Sequence, residues 1–144
     1  MKQIFFIFIL FLTIAIATNA QAFIGGGLKY NSNSRVNTAG LFLKGGTQLT
    51  DKFDINVDAG YYFSKSLSWS IDGDLQYQLV TLGEVIDISP LAGINFSKFD
   101  KTFNSLLVGL SVKIGNDEKK VYIEPRYILN FKQTILSAGL IRVF

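Results

Sequence analysis

Between Phe53 and Val80 the chain alternates apolar and polar residues through two successive runs, and this feature excludes most folds open to 144 residues. One parity holds Phe53, Ile55, Val57, Ala59, Tyr61 and Phe63, then Leu67, Trp69, Ile71, Gly73, Leu75, Tyr77 and Leu79. The other holds Asp54, Asn56, Asp58, Gly60, Ser68, Ser70, Asp72, Asp74, Gln76 and Gln78. A period of two gives one apolar and one polar face only on a pleated strand, whereas on a helix the same residues scatter around the axis. The stretch therefore predicts a hairpin of two long strands.

The same pattern extends over the chain and predicts strands at 23–31, 38–49, 53–63, 67–80, 85–96, 106–115, 120–130 and 134–144. The connections are short and rich in Asn, Ser, Asp, Gly and Lys, which is turn chemistry. The longest are "NSNSRVN" and "SKFDKTFN". No segment is left for a crossover helix, so the strands follow one another as an antiparallel meander. Pro90 and Pro125 fall inside strands and cannot donate to a ladder, so each is expected to mark a bulge or shorten a strand.

Residues 1–22 read as a cleaved secretory signal: Lys2 as sole charge, an apolar run from Ile4 to Ile16, and the small-x-small ending Ala20-Gln21-Ala22. The apolar run is short for a spanning helix. The remaining domain, 23–144, contains no Cys, so no disulfide holds it.

Absence of both His and Cys removes Ser-His hydrolysis, Cys nucleophiles and the usual transition-metal ligands, so neither catalysis nor a cofactor is expected. The glycines at Gly25 to Gly27 precede no helix and are not a phosphate loop. With 14 Lys and Arg against 11 Asp and Glu, nothing argues for nucleic acid.

Which face meets water decides the class. A soluble sandwich turns its apolar parity inward, and a membrane barrel turns it toward lipid. Charged residues are 17% of the chain, below the roughly 25% usual for soluble domains. The polar parity carries Ser, Gly, Asn and Gln where a wet exterior would carry Lys and Glu. Aromatic residues sort toward strand ends: Tyr30, Tyr61, Phe63, Trp69, Phe96, Tyr127 and Phe131 near one set of turns, Phe23, Phe53, Tyr77 and Phe144 near the other. Two such belts suit the boundaries of a bilayer. The expectation is an all-β, closed antiparallel eight-stranded up-and-down transmembrane β-barrel. A secreted soluble β-barrel or sandwich binding a small apolar ligand and a narrow solute channel stay open as alternatives.

Turn centres give a register for the charges. A "TDK" turn centred on Asp51 sets Lys44 opposite Asp58, and an "SKS" turn centred on Lys65 sets Asp58 opposite Asp72. Opposed like charges are unfavourable, so Asp58, Asp72 and Asp74 need cations or shared protons. Arg126, with its planar fork, is the expected partner, and Lys113 and Glu124 are expected to extend the network. A lumen this narrow is filled by its own side chains. A calcium site on Asp58, Asp72 and Asp74 is the competing arrangement.

The signal sequence, "GGGLKY", "QLTDKFDINVDAGYYF", "ISPLAGINF" and the final "SAGLIRVF" together resemble the small eight-stranded outer-membrane β-barrels of Gram-negative bacteria. These include outer membrane protein X and the membrane domain of outer membrane protein A. The resemblance implies delivery by periplasmic chaperones and insertion by the outer-membrane assembly machinery, which reads a last strand ending in Phe, here Phe144. The expectation is a monomer in outer-membrane lipid with a structural or envelope-integrity role. Arg142 departs from the pattern, because an aromatic is usual two residues before the end. That predicts either a snorkelling Arg142 or a strand shifted by one. The short loops depart from the long external loops that serve adhesion.

Overall fold

A computed structural model of the chain describes residues 21–32, 37–64, 67–83, 85–99 and 101–144. The expected signal segment lies almost wholly outside these. Its last residue, Ala22, opens the first strand, where its carbonyl accepts the Phe144 N–H at 2.8 Å.

The strands are β1 (Ala22–Ser32), β2 (Asn37–Thr50), β3 (Phe53–Tyr62), β4 (Trp69–Tyr77), β5 (Val80–Leu82), β6 (Ile86–Lys98), β7 (Thr102–Gly115), β8 (Lys119–Ile128) and β9 (Gln133–Val143). All pairings are antiparallel, and β1 pairs with β9 while β4 pairs with β6. The sheet therefore closes on itself. Short β5 continues β4 along the same neighbour, so the barrel has eight staves and no free edge.

The interruption between β4 and β5 has a chemical cause in the partner strand. Gln76 pairs with Leu91 and Val80 with Ile88, so the register slips by one across Pro90, which has no N–H to give. Pro125 has a milder effect. The β7–β8 ladder lapses between its Gly109–Arg126 and Val112–Ile123 pairs and resumes in unchanged register.

Two boundaries differ from the sequence expectation. Most of "SKFDKTFN" is strand, since the ladder runs on through Phe96–Asn104 and Lys98–Thr102, leaving a turn of only 99–101. Leu67, expected on the outward face, precedes β4 and is buried against Tyr62, with Phe99 packed alongside.

The apolar parity faces outward along every stave. Leu43 is 70% exposed, Leu140 65% and Leu28 61%, and Leu41, Val57, Ile71, Leu75, Ile94, Leu106, Val121 and Ile123 are exposed with them. The interior is layered, and the inward residues of β8 show the order. Lys120 lies at the end carrying the chain termini. Tyr122 follows, in an apolar layer with Phe23, Phe42 and Ile141. Glu124 and Arg126 are buried in the middle. Ile128 closes the far end with Leu91, Leu107 and Ile135. Phe23 thus points inward and is not part of the aromatic belt assigned to it from sequence.

Candidate functional site

The middle layer is an ionic cluster. Its register is the one the turn centres give: Lys44 pairs with Asp58, and Asp58 with Asp72. Arg126, on β8 across the lumen, meets four carboxylates. Its Nη1 lies 2.5 Å from Asp58 Oδ2 and 3.0 Å from Asp72 Oδ2, and its Nη2 lies 3.0 Å from Asp74 Oδ2 and 2.7 Å from Glu124 Oε2. A planar fork with donors on both tips can serve several acceptors at once, which an ammonium cannot match in geometry.

Lys44 pairs with Glu124 across the lumen, not with its ladder neighbour Asp58. Lys29, on β1, was not assigned to the network from sequence, yet it is fully buried, donates to Asp72 Oδ2 at 2.7 Å and also pairs with Asp58. The signal for it was a lysine between outward Leu28 and outward Tyr30.

Neutral groups donate to three of the carboxylates. Asn56 donates to Asp74 at 2.8 Å, Gln76 to Glu124 at 3.0 Å, Ser111 to Glu124 at 2.8 Å, and Asn95 to Asp72. Four carboxylates face three cations. The cluster is close to balanced, which is the condition under which charge is tolerated away from water.

Lys113 does not join Arg126. It pairs with Asp54 at 2.8 Å and sits over the Phe23 ring, 5.6 Å from its centroid. It belongs to a second polar group at the mouth beside the termini, where Lys120 meets Asp87 at 2.6 Å around a cavity of about 80 Å³. The layer of Phe23, Phe42, Tyr122 and Ile141 lies between the two groups. Strand parity gives a residue's face but not its depth, so the assignment of Lys113 failed on depth.

Several inward side chains fit so small a lumen because a glycine stands beside them on a neighbouring strand. Lys29 pairs with Gly40, Lys44 with Gly25, Asp74 with Gly93, Arg126 with Gly109 and Tyr122 with Gly139. A Cβ on Gly109 would stand 2.5 Å from the Pro125 carbonyl oxygen and 3.1 Å from Arg126 Cα. Gly109→Val is therefore expected to destabilise the barrel by about 1–3 kcal/mol, as overpacking does, read as a lower urea midpoint.

The carboxylates surround the guanidinium instead of converging on one point. Among the described residues, no group of three or more His, Cys, Asp or Glu is placed to hold a metal ion, and Asp58, Asp72 and Asp74 are taken up by Arg126 and Lys29 instead.

No protein-family model and no curated protein sequence matches the chain. Solved structures do match it in shape. A de novo designed transmembrane β-barrel superposes with a TM-score of 0.64 at 12% identity, covering 87% of this chain and 95% of that one. The fold is that of the small transmembrane β-barrels. The N-terminal β-barrel domain of Pseudomonas aeruginosa OprF follows at 0.62 and 17% identity, over 88% and 98% of the two chains. Ail, the attachment invasion locus protein of Yersinia pestis, gives 0.60 at 12% identity, over 87% and 99%.

At the end of the barrel that carries the termini, Arg142 faces outward between Ile24 and Lys119, its guanidinium 5.4 Å from the Phe144 ring centroid. The outward positions Leu136, Ala138, Leu140 and Arg142 alternate without a break, so the last strand is not shifted.

Proposed function

We propose that the chain is an integral outer-membrane protein of a Gram-negative bacterium with a structural role in the envelope and a sealed, non-conducting lumen. The observation that carries this reading is the inversion of the usual soluble arrangement. Leucine, isoleucine and valine cover the outside, while Lys29, Lys44, Asp58, Asp72, Asp74, Glu124 and Arg126 are buried. Water would not tolerate so continuous an apolar exterior on a monomer. The soluble alternative needs that parity inside, where ion pairs sit instead.

Apolar layers on both sides of the ionic cluster argue against a solute path. Removal of a signal at 1–22, delivery by periplasmic chaperones, insertion by the assembly machinery through β9 and Phe144, and a monomeric state belong to the same proposal. The ionic cluster holds the barrel closed and takes no part in catalysis.

Two measurements test it. The protein is expected to stay with envelopes through carbonate and high salt and to migrate faster on gels unboiled than boiled. Release by carbonate alone refutes the membrane assignment. Planar-bilayer recording is expected to show no conductance above background, and steady single-channel steps would refute the sealed lumen.

A further inference from the structure

The ionic layer at mid-lumen does not sum to zero. At this level β1 gives Lys29, β2 Lys44, β3 Asp58, β4 Asp72 and Asp74, and β8 Glu124 and Arg126, while β6, β7 and β9 give the neutral Asn95, Ser111 and Ser137. Four carboxyl groups thus meet three cations among the described residues, and all seven side chains are buried. Nothing adjacent makes up the difference. The layers on either side are apolar, and at the mouth Lys113 and Lys120 are matched one to one by Asp54 and Asp87. A carboxylate left unmatched away from water is costly enough that it takes a proton instead.

The hydrogen bonds show which one. Glu124 is served on both oxygens, by Lys44, Gln76 and Ser111 at Oε1 and by Arg126 at Oε2. Asp74 accepts from Asn56 at Oδ1 and from Arg126 at Oδ2. Asp72 accepts from Asn95 at Oδ1 and from Lys29 and Arg126 at Oδ2. Asp58 differs. Lys29 donates to its Oδ1, but its Oδ2, although 2.5 Å from Arg126 Nη1, receives no aligned donor.

Asp58 also stands directly opposite Asp72 in the β3–β4 ladder, and Lys29 and Arg126 Nη1 each touch both carboxyl groups. The two acidic side chains are hydrogen-bonding neighbours of one another. Ionised carboxylates hold acceptors only, so a hydrogen bond between them requires a proton. Two such groups at one site do not both stay ionised.

We propose that the folded barrel holds one proton at mid-lumen, shared between Asp58 and Asp72, with Asp58 Oδ2 as the hydroxyl and Asp72 as its acceptor. Three ionised carboxylates then balance Lys29, Lys44 and Arg126, and the seal offers a passing cation no net charge. The proposal rests on the lumen geometry and is independent of what surrounds the barrel.

Infrared spectroscopy tests it on the full chain refolded in detergent micelles at neutral pH. A neutral carboxyl absorbs above the main backbone amide band, and an ionised one below it. Expected is a neutral-carboxyl band integrating to one group per chain, which shifts on heavy-carbon labelling of aspartate and not of glutamate. It should be lost in Asp58→Asn, where three carboxylates already balance three cations, and kept in Asp87→Asn, whose aspartate belongs to a matched pair at the mouth. Asp72→Asn should also lose the band, at a lower urea midpoint than Asp58→Asn, because an amide cannot accept from Asn95, Lys29 and Arg126 together.

Absence of the band from the unsubstituted protein overturns the proposal. Absence together with a urea midpoint that differs between sodium and potassium salts at equal ionic strength gives the excess charge to a bound alkali cation instead. A band that survives Asp58→Asn, or that moves with labelled glutamate, places the proton elsewhere and also overturns it. The labelled spectra of the unsubstituted protein decide the matter where a variant fails to refold.

Discussion

Arg126→Met is expected to remove about 3–5 kcal/mol of folding stability, seen as a fall in urea midpoint at little-changed slope for the barrel refolded in detergent micelles. The substitution keeps a long flexible side chain, so the lumen stays filled. What it removes is the group meeting Asp58, Asp72, Asp74 and Glu124 together. Lys29 and Lys44 then face four carboxylates in a layer sealed by apolar side chains. Arg126→Lys should recover only part of the loss, because a single ammonium cannot span partners on both sides of a fork. Adding Asp72→Asn and Asp74→Asn to the Met variant should recover more, and the double-mutant cycle then reads the coupling directly. A loss below about 1 kcal/mol for Arg126→Met would mean that the cluster behaves like solvated surface pairs.

The size expected for Arg126 follows from depth, and depth was the quantity the sequence carried least well. Parity depends only on the pleat, so the face of Asp58, Asp72, Glu124 and Arg126 could be read from alternation. Register depends on turn centres, and the short turns at Asp51 and Lys65 fixed Lys44 against Asp58 and Asp58 against Asp72. Partnership across the lumen depends on barrel closure, which local pattern does not encode. Lys44 consequently finds Glu124 and Lys113 finds Asp54. Lys29 was obscured because Gly25, Gly26 and Gly27 occupy both parities of β1 and blur its alternation. Phe23 was placed on the wrong face for the same reason. The slip between β4 and β5 was signalled by Pro90, but on the partner strand, so only the pairing shows which element it breaks.

Leu43→Lys is expected to cost about 2–4 kcal/mol, the range for a lysine on the lipid face of a barrel near the bilayer midplane. Leu43 is 70% exposed on β2, in a ladder row with Gly26 and Ala59, and touches none of the ionic layer. On a protein surrounded by water, the same exchange at so exposed a site would change stability by no more than about 0.5 kcal/mol and improve solubility. The prediction thus separates the two solvents without relying on localisation. A matched exchange at Leu28, also outward but nearer the basic end, should cost less, because a lysine there can snorkel toward the boundary. A gradient from Leu43 to Leu28, measured as the difference in urea midpoints in lipid vesicles, is a signature that only a bilayer imposes. Equal and negligible effects at both positions would place the outward leucines in water, and the ionic lumen would then need another explanation.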